Sequence, residues 1–182
     1  MQKKGAIKIR LLQTAPDCVA QIAQWHHSEC LRQGIRSSLA FREQRLRLHM
    51  QYGSLPKTII LWVEEELVGC VSLVTYRSHH DQEDNENYQS LSSDEVWLSN
   101  LFVVEHKRQQ GFGGLLVEAA KKYAIDCHAR ELWLSASDVT GYYQRRGWTI
   151  VRKARLGGRS VNIMRTELVA MQLKAALIVE NR

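Results

Sequence analysis

Residues 108–114 read Arg-Gln-Gln-Gly-Phe-Gly-Gly, and they stand between two segments of opposite character. Before them, Val96-Trp97-Leu98-Ser99-Asn100-Leu101-Phe102-Val103-Val104 is a β-rich, mostly apolar run that suits a buried strand, followed by six polar residues, 105–110. After them, Leu116, Ala119, Ala120, Tyr123 and Cys127 recur on one face of a helix, with Glu118, Lys121 and Lys122 on the other. Glycines where a strand turns into a helix allow close backbone approach to a ligand and leave the first helical N–H groups free. Those groups and the helix dipole both favour an anion, phosphate above all. Arg108 adds a positive charge just ahead of the glycines.

Two familiar phosphate motifs do not fit. The dinucleotide fingerprint requires a third glycine where Leu116 stands, and the nucleotide P-loop requires Gly-Lys-Ser/Thr, which is absent. The spacing Arg108-Gln109-Gln110-Gly111-Phe112-Gly113 instead resembles the Q/R-x-x-G-x-G/A motif of the GNAT superfamily of acyl-CoA N-acyltransferases. A second segment, Gly141-Tyr142-Tyr143-Gln144-Arg145-Arg146-Gly147-Trp148, resembles that family's Y-x-x-x-G-F/W segment and falls at the matching distance downstream. The resemblance runs from about Ile7 to Leu168 and is firmest between Leu98 and Trp148.

The resemblance implies a mixed α/β fold: a central, largely antiparallel sheet flanked by helices, with a splayed parallel strand pair holding acyl-CoA. It implies acetyl-CoA as acyl donor, with the pyrophosphate held at Arg108, Gln109, Gln110, Gly111, Phe112, Gly113 and Gly114 and the pantetheine arm along Leu101, Phe102 and Val103. The Val103 amide would face the thioester oxygen, an oxyanion role that needs one well-aimed N–H. Tyr143 falls where the family carries the general-acid tyrosine that protonates the departing thiolate; the alternative is that it merely packs or hydrogen-bonds to the cofactor sulfur. The activity implied is N-acetylation of a primary amine, on a small molecule, a peptide or a protein N-terminus, by direct attack in a ternary complex. Holding amine and thioester in line can itself be worth ~7–11 kcal/mol.

Two departures from the family pattern bear on this expectation. Many relatives place a glutamate in the central strand where this chain has Ser99 and Asn100, neither of which takes a proton at neutral pH. Glu95 and Asp94, at the start of that strand, and Glu29 with His26 and His27 are the remaining candidate bases; each also reads as a solvated charge or a structural hydrogen-bonding group. Ala136 stands where many relatives carry an asparagine that contacts the cofactor arm, and Ser135, Ser137 or Asp138 could substitute. The missing glutamate supports a rival of another class, a non-catalytic acyl-CoA-binding sensor or subunit. Tyr143 and the intact glycine loop oppose it.

The composition, 45% hydrophobic and 24% charged over 182 residues, is that of an ordinary globular chain, expected to form one domain. We expect a transferase domain over residues 1–166 and an added helical tail over 167–182. No run reaches the ~18 apolar residues of a membrane span, and Met1-Gln2-Lys3-Lys4 leads into Ile7-Lys8-Ile9, not an apolar signal core, so a cytoplasmic protein without membrane contact is expected. Cys18, Cys30, Cys70 and Cys127 are too dispersed for a zinc site or a redox dithiol and read as free thiols. The net charge of +6 fits a polyanion partner, and coenzyme A is one: Lys107, Arg108, Lys121 and Lys122 fall where its phosphates are expected. The scattered basic residues lack the interleaved aromatics of a nucleic-acid platform. Monomer and homodimer both stay open.

Those sites need elements to carry them. Ile7-Lys8-Ile9-Arg10-Leu11 alternates as an opening strand, and Thr14-Ala15-Pro16-Asp17 signals a helix start with Thr14 as N-cap. That helix carries Val19, Ile22, Ala23 and Trp25 towards Cys30, and a second spans 39–52. By resemblance, these two helices form a wall of the acceptor pocket. A hairpin of 58–64 and 67–74 turns at Glu65-Glu66. Residues 79–93 form a polar loop with Asp81, Glu83, Asp84 and Glu86; His79 and His80 there are read as part of a solvated segment and not as metal ligands, and the loop's acidity could attract a cationic amine. Strand 132–135, a short helix 139–146 and an antiparallel pair 148–151 and 161–164 complete the chain.

Overall fold

The computed structural model describes residues 6–75 and 95–168. Seven strands, β1 (Ile7–Leu11), β2 (Lys57–Val63), β3 (Glu66–Thr75), β4 (Val96–Val103), β5 (Glu131–Ala136), β6 (Thr149–Leu156) and β7 (Arg159–Glu167), alternate with four helices. These are α1 (Val19–Arg32), α2 (Leu39–Leu48), α3 (Phe112–Asp126) and α4 (Thr140–Gln144). The hydrogen-bonded strand order is β1-β2-β3-β4-β5-β7-β6. The sheet is mostly antiparallel, with β4 and β5 as its parallel pair, in register at Trp97↔Trp133. This is the mixed, helix-flanked architecture expected from the motifs.

The chain forms two compact units, Met1–Leu73 with Ser99–Lys122 and Val74–Leu98 with Tyr123–Arg182. In the first, β2 and β3 are apolar almost throughout and buried on both faces, as their lack of alternation requires. Ile22, Ala23, Leu46, Ile60 and Cys70 are among the residues that form its core, the large aliphatic ones, Ile22, Leu46 and Ile60, contributing ~1.5–3 kcal/mol each on burial. In the second, β5 alternates: Leu132, Leu134 and Ala136 are buried on one face, while Glu131, Trp133 and Ser135 face the other way. Trp97, Ile163 and Val74 form a core cluster there with Trp133 packed against it.

Several local expectations are corrected. Thr14 is not an N-cap, because its hydroxyl donates back to the Leu11 carbonyl at 2.8 Å; two 3-10 turns, Leu12–Thr14 and Pro16–Cys18, lead into α1 instead. Ser38 caps α2, accepting from the Phe41 N–H at 3.4 Å, and that helix stops at Leu48 rather than near Gly53. The β2–β3 turn is Glu64-Glu65, one residue earlier than expected, with Glu64 left-handed at φ 58°. Lys121 does not lie on an exposed face of α3 but is buried. β7 runs through Glu167, where a helix was expected to begin. Leu168, the next residue, is buried and its N–H donates to the Arg130 carbonyl at 2.9 Å; the expected tail from 169 to 182, the acidic segment 79–93 with its two histidines, and Asp94 lie outside the described residues. Among the described residues no helix is long and apolar enough to cross a membrane.

Candidate functional site

In the first unit, β4 ends at Val103 and the chain passes through a 3-10 turn, Glu105–Lys107, into α3. Two loop residues are left-handed, Gln109 at φ 61° and Gly111 at φ 88°. Mixed right- and left-handed residues of this kind gather backbone N–H groups into anion-binding concavities. The Leu115 N–H is bonded to the Gly111 carbonyl at 3.2 Å, which leaves the amides of Phe112, Gly113 and Gly114 without an acceptor inside the helix. The macrodipole adds roughly half a positive charge at the same end. The main chain here has the conformation and the open helical amides that suit an anion.

Side chains brace the loop more than they face a ligand. Arg108 Nε donates to the Val103 carbonyl at 2.9 Å, and its guanidinium lies 5.7 Å from the centre of the Phe102 ring. Phe102 in turn stacks on Trp25 at 4.9 Å. Gln110 Nε2 donates to the His106 carbonyl at 3.1 Å. Two of the lysines expected near phosphate are engaged elsewhere. Lys107 Nζ is 3.4 Å from Glu66, and Lys121 pairs with Glu118 at 3.2 Å. Lys121 also lies roughly 13 Å along α3 from Phe112 at ~1.5 Å per residue.

The end of β4 is shaped by its neighbour. The Val104 N–H donates to the Val68 carbonyl at 2.9 Å, so the Val103 amide, one residue earlier on the strand, is directed away from β3. At Gly69 a Cβ would come within 2.6 Å of the Phe102 carbonyl oxygen, so only glycine allows the two backbones to approach this closely. Asn100 takes a left-handed conformation, φ 53°, in the middle of β4, and its carbonyl receives the Cys70 thiol at 3.8 Å. Cys70 Sγ also lies 3.5 Å from His26 Nε2, and both residues are buried. The sequence reading missed Gly69, although a lone glycine inside an apolar strand is a recognisable sign of close backbone approach.

Glu29 shares this unit, but its carboxylate is taken up locally. Arg32 donates to it at 2.9 and 2.5 Å and Gln33 at 2.7 Å. The Arg32 hydrogen bonds hold it below the usual carboxylate range, and Arg108 contributes in the same direction. Burial, with Arg42 and His49 nearby, lowers His26 to about 4. A group that resists protonation to that degree is a weak acceptor for an amine's proton.

The second unit carries Tyr143. Its spacing to Gly147 and Trp148 is that of a helix stop: the Trp148 N–H bonds to the Tyr143 carbonyl at 3.2 Å and the Gly147 N–H to that of Gln144 at 3.1 Å, with Gly147 at φ 83°. This is the paired 6→1 and 5→2 pattern of a Schellman cap, and the accompanying apolar contact is the edge-on packing of Tyr143 against Trp148 at 5.8 Å. The phenol is therefore positioned by the same residues that end α4. Burial pushes Tyr143 up to about 12, Tyr142 adding to the rise and Arg146 opposing it. Such a phenol keeps its proton at every ordinary pH. Ala136 in β5 is buried and offers no polar side chain.

Glu95 lies just ahead of β4, at the opposite end of that strand from Val103. Burial raises its carboxyl, the Trp97 indole lowers it, Glu131 raises it and Arg152 lowers it. Among the described residues no three His, Cys, Asp or Glu side chains converge as a metal site.

The sequence model described as the acetyltransferase (GNAT) family matches residues 20–148. A search of curated proteins finds no match. Among solved structures, an acetyltransferase of the GNAT family from Streptococcus pneumoniae superposes with a TM-score of 0.66 at 17% identity, covering 89% of this chain and 99% of that one. A Salmonella typhimurium protein described as an acetyltransferase, solved with its cofactor acetyl-CoA, gives 0.67 at 14%, covering 90% and 94%. N-acetylglutamate synthase from Neisseria gonorrhoeae, complexed with coenzyme A and N-acetyl-glutamate, gives 0.64 at 19%, covering 91% of this chain and 36% of that one. At these identities the likeness is one of fold.

Proposed function

Because the chain belongs to the acetyltransferase (GNAT) family, we propose that it transfers the acetyl group of acetyl-CoA to a primary amine by direct attack in a ternary complex. The observation that carries this reading is the loop before α3, with Gln109 and Gly111 left-handed and the first helical amides open. The residues fit the donor: the backbone from Arg108 to Gly114 would hold its pyrophosphate, and Leu101, Phe102 and Val103 its pantetheine arm. Acetyl-CoA supplies the activated acyl group. The Val103 N–H, directed away from β3, is suited to stabilise negative charge developing on the acyl oxygen. The Tyr143 hydroxyl acts as acid. A phenol raised to about 12 gives up its proton to a thiolate near ~8.5 only as the C–S bond breaks, so donation and departure are coupled; the proton the amine nitrogen loses passes to water, from which the phenolate regains its own.

In this reading the transferase domain, expected over 1–166, extends to the end of β7 at Glu167, the residues beyond are an addition, and the protein works in the cytoplasm. The acceptor is a small molecule, a peptide or a protein N-terminus. The test is release of free thiol from acetyl-CoA in the presence of a panel of amines. Release with at least one amine supports the reading and names the acceptor class. A second reading, a non-catalytic acyl-CoA sensor or subunit, has an observation of its own. β4 carries no carboxylate, and Glu29 is already neutralised by Arg32. Acetyl-CoA binding without thiol release for any amine would favour it.

A further inference from the structure

The chain that leaves β4 is grasped by a carboxylate from the start of β3. Backbone pairing between the two strands reaches Val104 N–H to Val68 carbonyl, at 2.9 Å. Two residues further out on each side, the pairing continues through side chains: His106 Nε2 lies 2.7 Å from Glu66 Oε1 and Lys107 Nζ 3.4 Å from Glu66 Oε2. The hydrogen bond from His106, with Lys107 acting in the same direction, holds Glu66 below the usual carboxylate range, which keeps it charged. The grip is passed on, because the His106 carbonyl accepts from Gln110 Nε2 at 3.1 Å and Gln110 stands between the left-handed Gln109 and Gly111.

We propose that Glu66 is a positioning residue for the phosphate loop: by clasping His106 and Lys107 it holds the turn Glu105–Lys107, and through it residues 109–111, in the conformation that receives the donor's phosphates. The proposal rests on the reading of that loop as the acetyl-CoA site. Stability of the fold is a poor explanation for the clasp. Both partners are well exposed, at 63% and 44% for the His106–Glu66 pair, and such surface pairs contribute little. Order in a loop is another matter, since donors already in place lose less freedom when a ligand binds.

The sign of the effect separates positioning from charge. A carboxylate near a polyanion disfavours binding through space, so a Glu66 that acted by charge alone would tighten binding when removed. Positioning requires the reverse. The experiment is calorimetric titration of acetyl-CoA into wild type, Glu66→Gln and Glu66→Ala, with ligand-free amide hydrogen exchange over residues 105–114. We expect the dissociation constant to rise about threefold to fivefold in both variants, as loss of a small exposed ion network allows. Exchange over 105–114 should quicken, the ligand-free melting temperature should move by less than about 2 °C, and the exchange Glu66→His with His106→Glu should restore affinity. Unchanged or tighter binding in Glu66→Ala overturns the proposal. If wild type itself does not bind acetyl-CoA, the site reading fails. The exchange data then report on the clasp independently: unaltered exchange in Glu66→Ala shows that Glu66 orders nothing.

Discussion

The first unit offers a ligand mainly backbone amides, arranged by two left-handed residues and a helix start, whereas the second offers one buried phenol on a five-residue helix. The loop depends on conformation: it tolerates changes of side chain where φ is preserved and fails where φ is not. The phenol depends on a single oxygen, held by a capping pattern that would survive its loss. Binding and chemistry should therefore respond to different kinds of substitution.

The largest effect expected is at Tyr143. Tyr143→Phe keeps the ring against Trp148 and removes only the hydroxyl, so turnover should fall by ~10²–10⁴, the usual worth of a general acid, with acetyl-CoA affinity changed less than about twofold. Steady-state rates beside a calorimetric titration check both parts, and near-normal turnover would leave Tyr143 a packing role. With its proton held up to about 12, Tyr143 should impose no alkaline loss of rate below about pH 11.

Next comes acid. His26 and His49, both buried in the first unit, are lowered to about 4, each mainly by burial. Between pH 6.5 and 4 the unfolded chain binds protons that the folded one refuses, so stability is lost as pH falls through that window. The loss is at most about 3.5 kcal/mol per histidine, at ~1.4 kcal/mol per unit. Urea unfolding at pH 7 and pH 4.5 should show it, and His49→Gln should flatten the dependence. Hydrogen exchange at low pH should quicken first in the first unit. Equal quickening in both units would erase that contrast.

Gly69→Ala should follow, destabilising the fold by ~1–3 kcal/mol because the new methyl meets the Phe102 carbonyl. A fall in urea midpoint of that order is the check. Gly111→Ala is subtler, since a Cβ there meets nothing within 4 Å and the strain is all in φ. About 1–2 kcal/mol of strain should weaken acetyl-CoA binding roughly fivefold to thirtyfold. Turnover at saturation should stay near wild type. A fall in saturated turnover instead of affinity would undo the separation of binding from chemistry.

What could be read from the sequence was local. The strand-to-helix turn from Arg108 to Gly114 was legible because glycines between an apolar strand and an amphipathic helix mark such a turn, and Tyr143-x-x-x-Gly147-Trp148 because a helix cap is written within six residues. Thr14 is local too, yet its hydroxyl had two partners available and took the carbonyl behind it instead of an amide ahead. Contacts across the fold were not legible. Lys121 follows Glu118 by one helical turn in a pattern that suits an exposed face, but it is buried. Glu66 meets His106 forty residues away, and no periodicity foretells that encounter.

The most direct test of the central claim is thermal unfolding of the protein with and without acetyl-CoA. At ~100 times its dissociation constant the ligand should add ~2.7 kcal/mol to stability and raise the melting temperature by several degrees. No shift at millimolar acetyl-CoA would mean that the loop before α3 binds no such donor, and the acyltransferase account would fall with it.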